Sequence, residues 1–262
     1  MLCSVRKASV GNKSMVHQVA EFIAHYRTIG ARHFYFYDLE MSDDLRALIA
    51  RIQWAGVDVR VMPFKLPVPK EQVYQNGQRE ALHECILRSV LTSEWFLNVD
   101  LDELMLPITS TNLQAQIETV QPKKNDCSVD VILVLNRRFC FDYGARASSI
   151  RKGDLPLMTR LYSHYAGTAN SGAWAKYMAR GRSVMKADIH FLWETGSNSE
   201  VIEKKPEEIV VNHYTFCCHL SRSFDYGVVP WREDLLYTDR RIRRYSKMAE
   251  KDIALATLEH VV

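Results

Sequence analysis

The chain carries almost no excess of either charge: 34 Lys and Arg against 31 Asp and Glu leave a formal net charge of +3, too little to argue for a nucleic-acid partner. It has no apolar run near the ~20 residues that span a bilayer, and Met1 to Val10 has neither the length nor the apolar centre of a signal peptide. As given, the chain is expected to be soluble, and it reads equally as the catalytic part of a longer anchored protein. Its six cysteines show no CxxC pairing and no scaffold density, which excludes a disulfide-built fold and leaves the redox compartment open. There is no GxxxxGK[ST] loop, so P-loop phosphate chemistry is excluded. Repeats, low-complexity tracts and a linker able to split the chain are all missing. One local basic cluster, Arg240, Arg241, Arg243 and Arg244, reads as a solvated helix face, with phosphate or membrane-surface binding as the minor alternative.

What remains is ordinary globular composition, 47% hydrophobic and 25% charged over 262 residues, enough for one large α/β domain or two small ones. Leu2 to Val5 reads as a strand. Met15 to Ile29 reads as an amphipathic helix with Val16, Val19, Phe22, Ile23 and Tyr26 at helical spacing, stopped by Gly30. The aromatic run His33 to Tyr37 is a second strand ending at Asp38. Ser42 caps a helix whose apolar stripe is Leu45, Leu48, Ile49 and Ile52, ending before Gly56, and Val57 to Val61 alternates like a third strand. After a loop from Pro63 to Pro69, a long helix over Gln75 to Thr92 turns Ala81, Leu82, Cys85, Ile86 and Val90 inward, and Trp95 to Val99 forms a fourth strand. Strands alternating with helices predict a mainly parallel sheet covered on both faces, with ligands at the carboxyl ends of the strands. Beyond residue 125 the spacing predicts strands over Val129 to Leu135, Met158 to Tyr162, Ala175 to Ala179 and Ile209 to Tyr214, completing the sheet.

The most chemically loaded stretch is Glu94-Trp95-Phe96-Leu97-Asn98-Val99-Asp100-Leu101-Asp102-Glu103, an apolar strand running into three carboxylates. Strand alternation would aim Asp100 and Asp102 the same way, and two like charges on one face call for a counter-cation. Hard oxygen ligands suit Mg²⁺ or Mn²⁺ that also carries substrate phosphates, whereas Asp102 and Glu103 as turn or helix caps are the plainer alternative. Asp38 and Asp100, both at strand ends, predict one shared crevice.

Taken in order, Glu21-Phe22-Ile23-Ala24-His25-Tyr26, Ile29 to Asp38, Gly77-Gln78 with Ala81 and Glu84-Cys85, Trp95 to Glu103, Lys176, His190 and Asn212-His213-Tyr214 resemble glycosyltransferase family 92. The chain departs from that pattern at Leu39, where the family usually has asparagine, at Glu84, where it has aspartate, and in Thr215-Phe216-Cys217-Cys218, which lacks basic residues.

The resemblance implies a single GT-A-like α/β domain, its mixed, mainly parallel sheet flanked by helices, with a Rossmann-like nucleotide-sugar half over 1–125 and an acceptor half over 126–262. It further implies an inverting, metal-dependent transfer of a hexose, often galactose, from a UDP-sugar to a glycan or glycoprotein acceptor, in the Golgi membrane when the parent is an anchored eukaryotic protein. On this reading Asp102 is the direct Mn²⁺ (or Mg²⁺) ligand, Asp100 binds the metal through water or contacts the ribose, and Glu103 orients either one. His213 is the third ligand and His190 its competitor, against the plainer reading of hydrogen-bonded core histidines. Asp38 is expected at the donor base or ribose, or as a turn residue. Gln78 and Arg79 open the long helix near the donor, with Arg79 on the diphosphate or simply exposed. Inversion needs a general base, for which Asp188, Glu194 and Asp234 are the candidates. Trp174, Trp193 and Trp231 are candidates for stacking on sugar. The competing classes are a retaining enzyme of the same fold, a metal-dependent nucleotidyl- or phosphotransferase, and a non-catalytic sugar-nucleotide-binding relative.

Overall fold

The structure is a computed structural model that describes residues 1–4, 13–119, 128–141, 157–162, 164–168, 175–215 and 237–238. Its first part follows the alternating pattern: β1 (Leu2–Ser4), α1 (Lys13–Thr28), β2 (His33–Asp38), α2 (Asp43–Trp54), β3 (Asp58–Pro63), α3 (Gln78–Thr92) and β4 (Phe96–Asn98). Ser42 caps α2 by accepting the Leu45 amide, satisfying one of the orphan donors of the first turn. Next come β5 (Glu103–Pro107), α4 (Leu113–Glu118), β6 (Ser128–Val134), β7 (Asn136–Cys140), α5 (Met158–Leu161), β8 (His164–Thr168) and β9 (Lys176–Ala179). The remaining elements are β10 (Val184–Ala187), β11 (Leu192–Thr195), β12 (Ser199–Lys204), β13 (Ile209–Thr215) and β14 (Tyr237–Thr238).

Seven strands form one sheet in the order β12-β6-β9-β4-β1-β2-β3, parallel except where β9 runs against both β4 and β6. Strand β2 shows why helices cover both faces. Phe34 and Phe36 pack with α1 and α2, whereas Tyr35 and Tyr37 pack with Ala81, Leu82, Cys85 and Ile86 of α3. Strands from beyond residue 125, β6, β9 and β12, complete this sheet as expected, whereas a second sheet, β14-β8-β7-β13-β5, which takes in β5, was not anticipated. Strand β5 lies at its edge, where two side chains of α1 satisfy backbone groups. Tyr26 Oη donates to the Glu103 carbonyl and accepts from the Met105 amide, and His25 Nε2 meets the Met105 carbonyl at 2.7 Å.

Two local expectations are corrected. Met158–Leu161 is a helical turn rather than a strand, because the buried Glu21 carboxylate accepts the Met158 and Thr159 amides and the Thr159 hydroxyl, the donors a helix start leaves unpaired. Helix α3 starts at Gln78 rather than Gln75, since Gln75, Asn76 and Gly77 all have positive φ. Its inward face ends on Ser89, and Val90, expected inside, is half-exposed.

Candidate active site

Asp100 and Asp102 do not lie along a strand, and Glu103 opens the next one. Strand β4 ends at Asn98, and the Glu103 amide donates back to the Asp100 carbonyl at 3.0 Å, closing a tight turn before β5 begins. The alternation argument therefore fails, and it is the turn, not the pleat, that gathers the acids. The Asp100 amide donates to Glu103 Oε2 at 2.8 Å, folding the third carboxylate back beneath the first. Asp102 and Glu103 are buried, and the Asp100 side chain is 17% exposed.

Their counter-cation includes a lysine. Lys176, fully buried on β9, places Nζ 2.9 Å from Asp100 Oδ2 and 3.1 Å from Glu103 Oε2. Burial disfavours its ammonium form, but the two carboxylates outweigh that and hold its pKa above the usual lysine range. Burial raises the Glu103 carboxyl, Asp100 and Asp102 push it the same way, and Lys176 and His213 oppose them.

Strand β13 brings His213 into register opposite Glu103 and beside Arg138 of β7. His213 Nε2 stands 3.7 Å from Asp102 Oδ2, and Nδ1 stands 3.5 Å from Glu103 Oε1. Burial alone would lower its pKa; Asp102 and then Glu103 reverse the sign and raise it. Arg138 is lowered to about 10 by burial, against the pull of Glu103. His190, in the turn between β10 and β11, is driven to about 4 by burial, assisted by the nearby charges of Lys176 and His213 and opposed by Asp100. Asp100, Asp102 and His213 thus meet with Lys176 and Glu103 in one charged cluster, and His190 lies near enough to feel its charges.

A strained turn aims the start of α3 at this cluster. A Cβ on Gly77 would lie 2.8 Å from Leu66 Cδ2 and 3.0 Å from Phe64 Cε1, so only glycine fits here, and Gln75 and Asn76 before it also hold left-handed backbone. Gln78 Nε2 then donates to Asp100 Oδ1 at 2.7 Å. Arg79 donates to Asp188 Oδ2 at 2.6 Å and lies 4.9 Å from the Tyr74 ring centroid.

The other predicted site residues fall elsewhere. Asp38 closes the turn after β2: Oδ1 accepts the Met41 amide, and Oδ2 pairs with Arg46. Asp188 is tied to Arg79, to the Trp193 indole N–H at 3.3 Å and to the Ile189 amide at 2.7 Å. Glu194 lies on the exposed side of the β10–β11 hairpin. Asp234, Trp174, Trp231, the four C-terminal arginines and Cys217-Cys218 lie outside the described residues. Sequence reasoning quoted Lys176 but gave it no role, although a lone lysine inside the apolar run Ala175 to Ala179 is itself a signal, because lysine is seldom fully buried unless paired. It also left cysteine chemistry open, whereas Cys85 is disulfide-bonded.

Among the described residues no set of three or more His, Cys, Asp or Glu side chains is arranged to hold a metal ion. The pair Asp102 Oδ2 and His213 Nε2, 3.7 Å apart, nonetheless fits two adjacent positions around one divalent cation after a small approach, and cations that carry phosphates commonly take only one or two protein ligands.

The model of one protein family, described as Glycosyltransferase family 92, matches residues 7–255, nearly the whole chain. No curated protein matches.

Proposed function

The chain belongs to glycosyltransferase family 92, and on that premise we propose that it moves a hexose, galactose first among the candidates, from a UDP-sugar to a hydroxyl of a glycan or glycoprotein, inverting the anomeric carbon with the help of Mn²⁺ or Mg²⁺. The observation that carries the finer reading is the internal neutralisation of Asp100 and Glu103 by Lys176 beside the facing pair Asp102 and His213.

Asp102 and His213 would hold the cation, a carboxylate oxygen and an imidazole nitrogen being a donor set that suits Mn²⁺. When bound, such a cation offsets the negative charge that grows on the departing diphosphate. Lys176 holds Asp100 in place, and Gln78 orients the same carboxylate from the other side, so Asp100 presents a set geometry to water or ribose. For the donor base we assign the cleft of about 420 Å³ lined by Leu39, Phe64, Leu66 and Lys70, at the carboxyl ends of β2 and β3. Phe64 and Leu66 abut Gly77, which joins that cleft mechanically to Gln78 and hence to Asp100. Asp188 serves as a strut rather than the base, its oxygens being engaged by Arg79, Trp193 and Ile189, and the base is to be sought in Glu194 or Asp234.

The strand order of the larger sheet supports a GT-A-like arrangement. The disulfide at Cys85 supports an oxidising compartment such as the Golgi lumen. No helix among the described residues is long and apolar enough to cross a membrane.

A screen of nucleotide sugars with and without EDTA tests the reading. Transfer or hydrolysis of a UDP-hexose that EDTA abolishes and Mn²⁺ restores is the expected result, with product configuration read by NMR. Turnover undiminished by EDTA, or turnover of another nucleotide class alone, overturns it.

A further inference from the structure

We propose that the β10–β11 hairpin carries a saccharide platform, Trp193 and Phe191 with Tyr74 linked to them through Arg79 and Asp188, that receives a pyranose ring of the acceptor. The proposal rests on the glycosyltransferase reading above and adds to it the place where the acceptor binds.

Three large aromatic side chains are left open to water here: Trp193 is 58% exposed, Phe191 38% and Tyr74 63%. They are not loose. Phe191 meets Trp193 in a T-shaped contact with ring centroids 4.7 Å apart, and the Trp193 indole N–H is tied to Asp188, itself buried. Asp188 is held in turn by Arg79, whose guanidinium lies against the Tyr74 ring, so one continuous chain of contacts joins Trp193 to Tyr74. Rings fixed before binding lose little entropy when a ligand arrives.

A pyranose ring has apolar C–H faces and a polar rim of hydroxyls. The platform offers both complements: aromatic faces for the first, and for the second the charged groups interleaved with them, Arg79 and the Lys186 ammonium 5.6 Å from the Trp193 centroid. A purely apolar protein partner would cover the Lys186 ammonium without offering it a hydrogen-bonding group, which favours the sugar.

The platform adjoins the charged cluster. Asn98 at the end of β4 donates to the Ile189 carbonyl at 2.8 Å, and the Tyr177 hydroxyl donates to the Asp188 carbonyl at 2.9 Å, pinning the hairpin turn to the strands that carry the acids. Gln78 and Arg79, consecutive on α3, reach Asp100 and Asp188 respectively. The hairpin turn is thus fastened to the strand that leads into Asp100, which puts the platform on the same side of the sheet end as the acids, and Asp188 is a positioning residue that orients the ring.

The test uses the acceptor that a glycan-array transfer screen identifies for the wild-type protein. Trp193→Ala is expected to raise the KM for that acceptor at least about tenfold and the donor KM less than about twofold, and Trp193→Phe to bring the acceptor KM back within about threefold of wild type. An acceptor KM for Trp193→Ala within about twofold of wild type, or Trp193→Phe as weak as Trp193→Ala, overturns the platform. Should Trp193→Ala fail to fold by circular dichroism, ¹⁹F NMR of wild-type protein labelled with 5-fluorotryptophan decides: the Trp193 resonance, assigned with Trp193→Phe, must shift when the acceptor is added, and a fixed resonance overturns the proposal. Absence of transfer from every nucleotide sugar overturns the parent reading instead; glycan binding on the same array, lost in Trp193→Ala, still supports the platform, and binding undiminished there rejects it.

Discussion

Asp38, the last residue of β2, and Asp100, just past β4, stand at the carboxyl ends of two strands of the same sheet, yet they answer to different cations. Asp38 accepts a turn amide and pairs with Arg46, a side chain half open to solvent. Asp100 pairs with Lys176, which is fully buried, and shares it with Glu103. The Asp38 carboxylate is no more open than Asp100, 11% against 17% exposed, so the difference lies in the cation. A half-exposed arginine is screened by solvent and can leave, and such a pair is worth little. A buried pair gains little in net terms from forming, but losing one partner strands the other's charge in a low dielectric. The same residue type at a strand's carboxyl end is thus a turn device in one case and part of a charge lattice in the other.

The sharpest way to break that contrast is Lys176→Met. It leaves Asp100 and Glu103 buried without their cation, and should cost about 3–5 kcal/mol of stability, read from the denaturant midpoint. A loss no greater than that of Arg46→Ala would erase the distinction. Asp102→Asn should retain the fold and reduce sugar transfer at least about a hundredfold, the scale of one lost charge-stabilising ligand. Isothermal titration with Mn²⁺ and UDP should show the same defect without any turnover, and His213→Ala a weaker version of it.

A third probe uses pH. Burial lowers His25 from 6.5 to about 4, against the raising effect of its bond to the Met105 carbonyl. The unfolded chain takes up a proton below pH 6.5 that the folded chain refuses until about 4, so this stability is present above 6.5 and lost as pH falls toward 4. The loss is about 3 kcal/mol, and urea midpoints at pH 7.5 and 4.5 should show a smaller difference in His25→Asn than in wild type. The smallest effect is expected at the other strand end. Arg46→Ala should cost no more than about 1 kcal/mol and should lose even that in high salt.

How far the fold was legible depended on the range of the forces involved. The stripe Leu45, Leu48, Ile49 and Ile52 and the cap Ser42 located α2 to within a residue, because helical period and capping are local. The aromatic run His33 to Tyr37 likewise located β2, because aromatic side chains favour strands. Met158 to Leu161 was misread because the group that makes it helical, Glu21, is 137 residues away from Met158 in the chain. The short β10 and β11 carry too few residues for a period to emerge, and β5 was hidden because its first residue, Glu103, reads as part of an acidic tip. In the site, Asp100, Asp102, His190 and His213 were nominated by residue type and order, and the structure brings the two acids and His213 together with His190 near enough to feel the cluster's charges; Asp188 was nominated on the same grounds and is bound up in a turn.

By itself the sequence determined the alternation of helices with parallel strands, the family, and which acids and histidines were worth watching, because these rest on periodicity and on residues close together in the chain. Only the tertiary structure decided which charge answers which. Inserting β9 between β4 and β6 carries Lys176 across 76 positions to Asp100, and pairing β13 with β5 sets His213 opposite Glu103. Coulomb energies between buried groups depend on separation in space and on the exclusion of water, and neither quantity exists until the sheets have assembled.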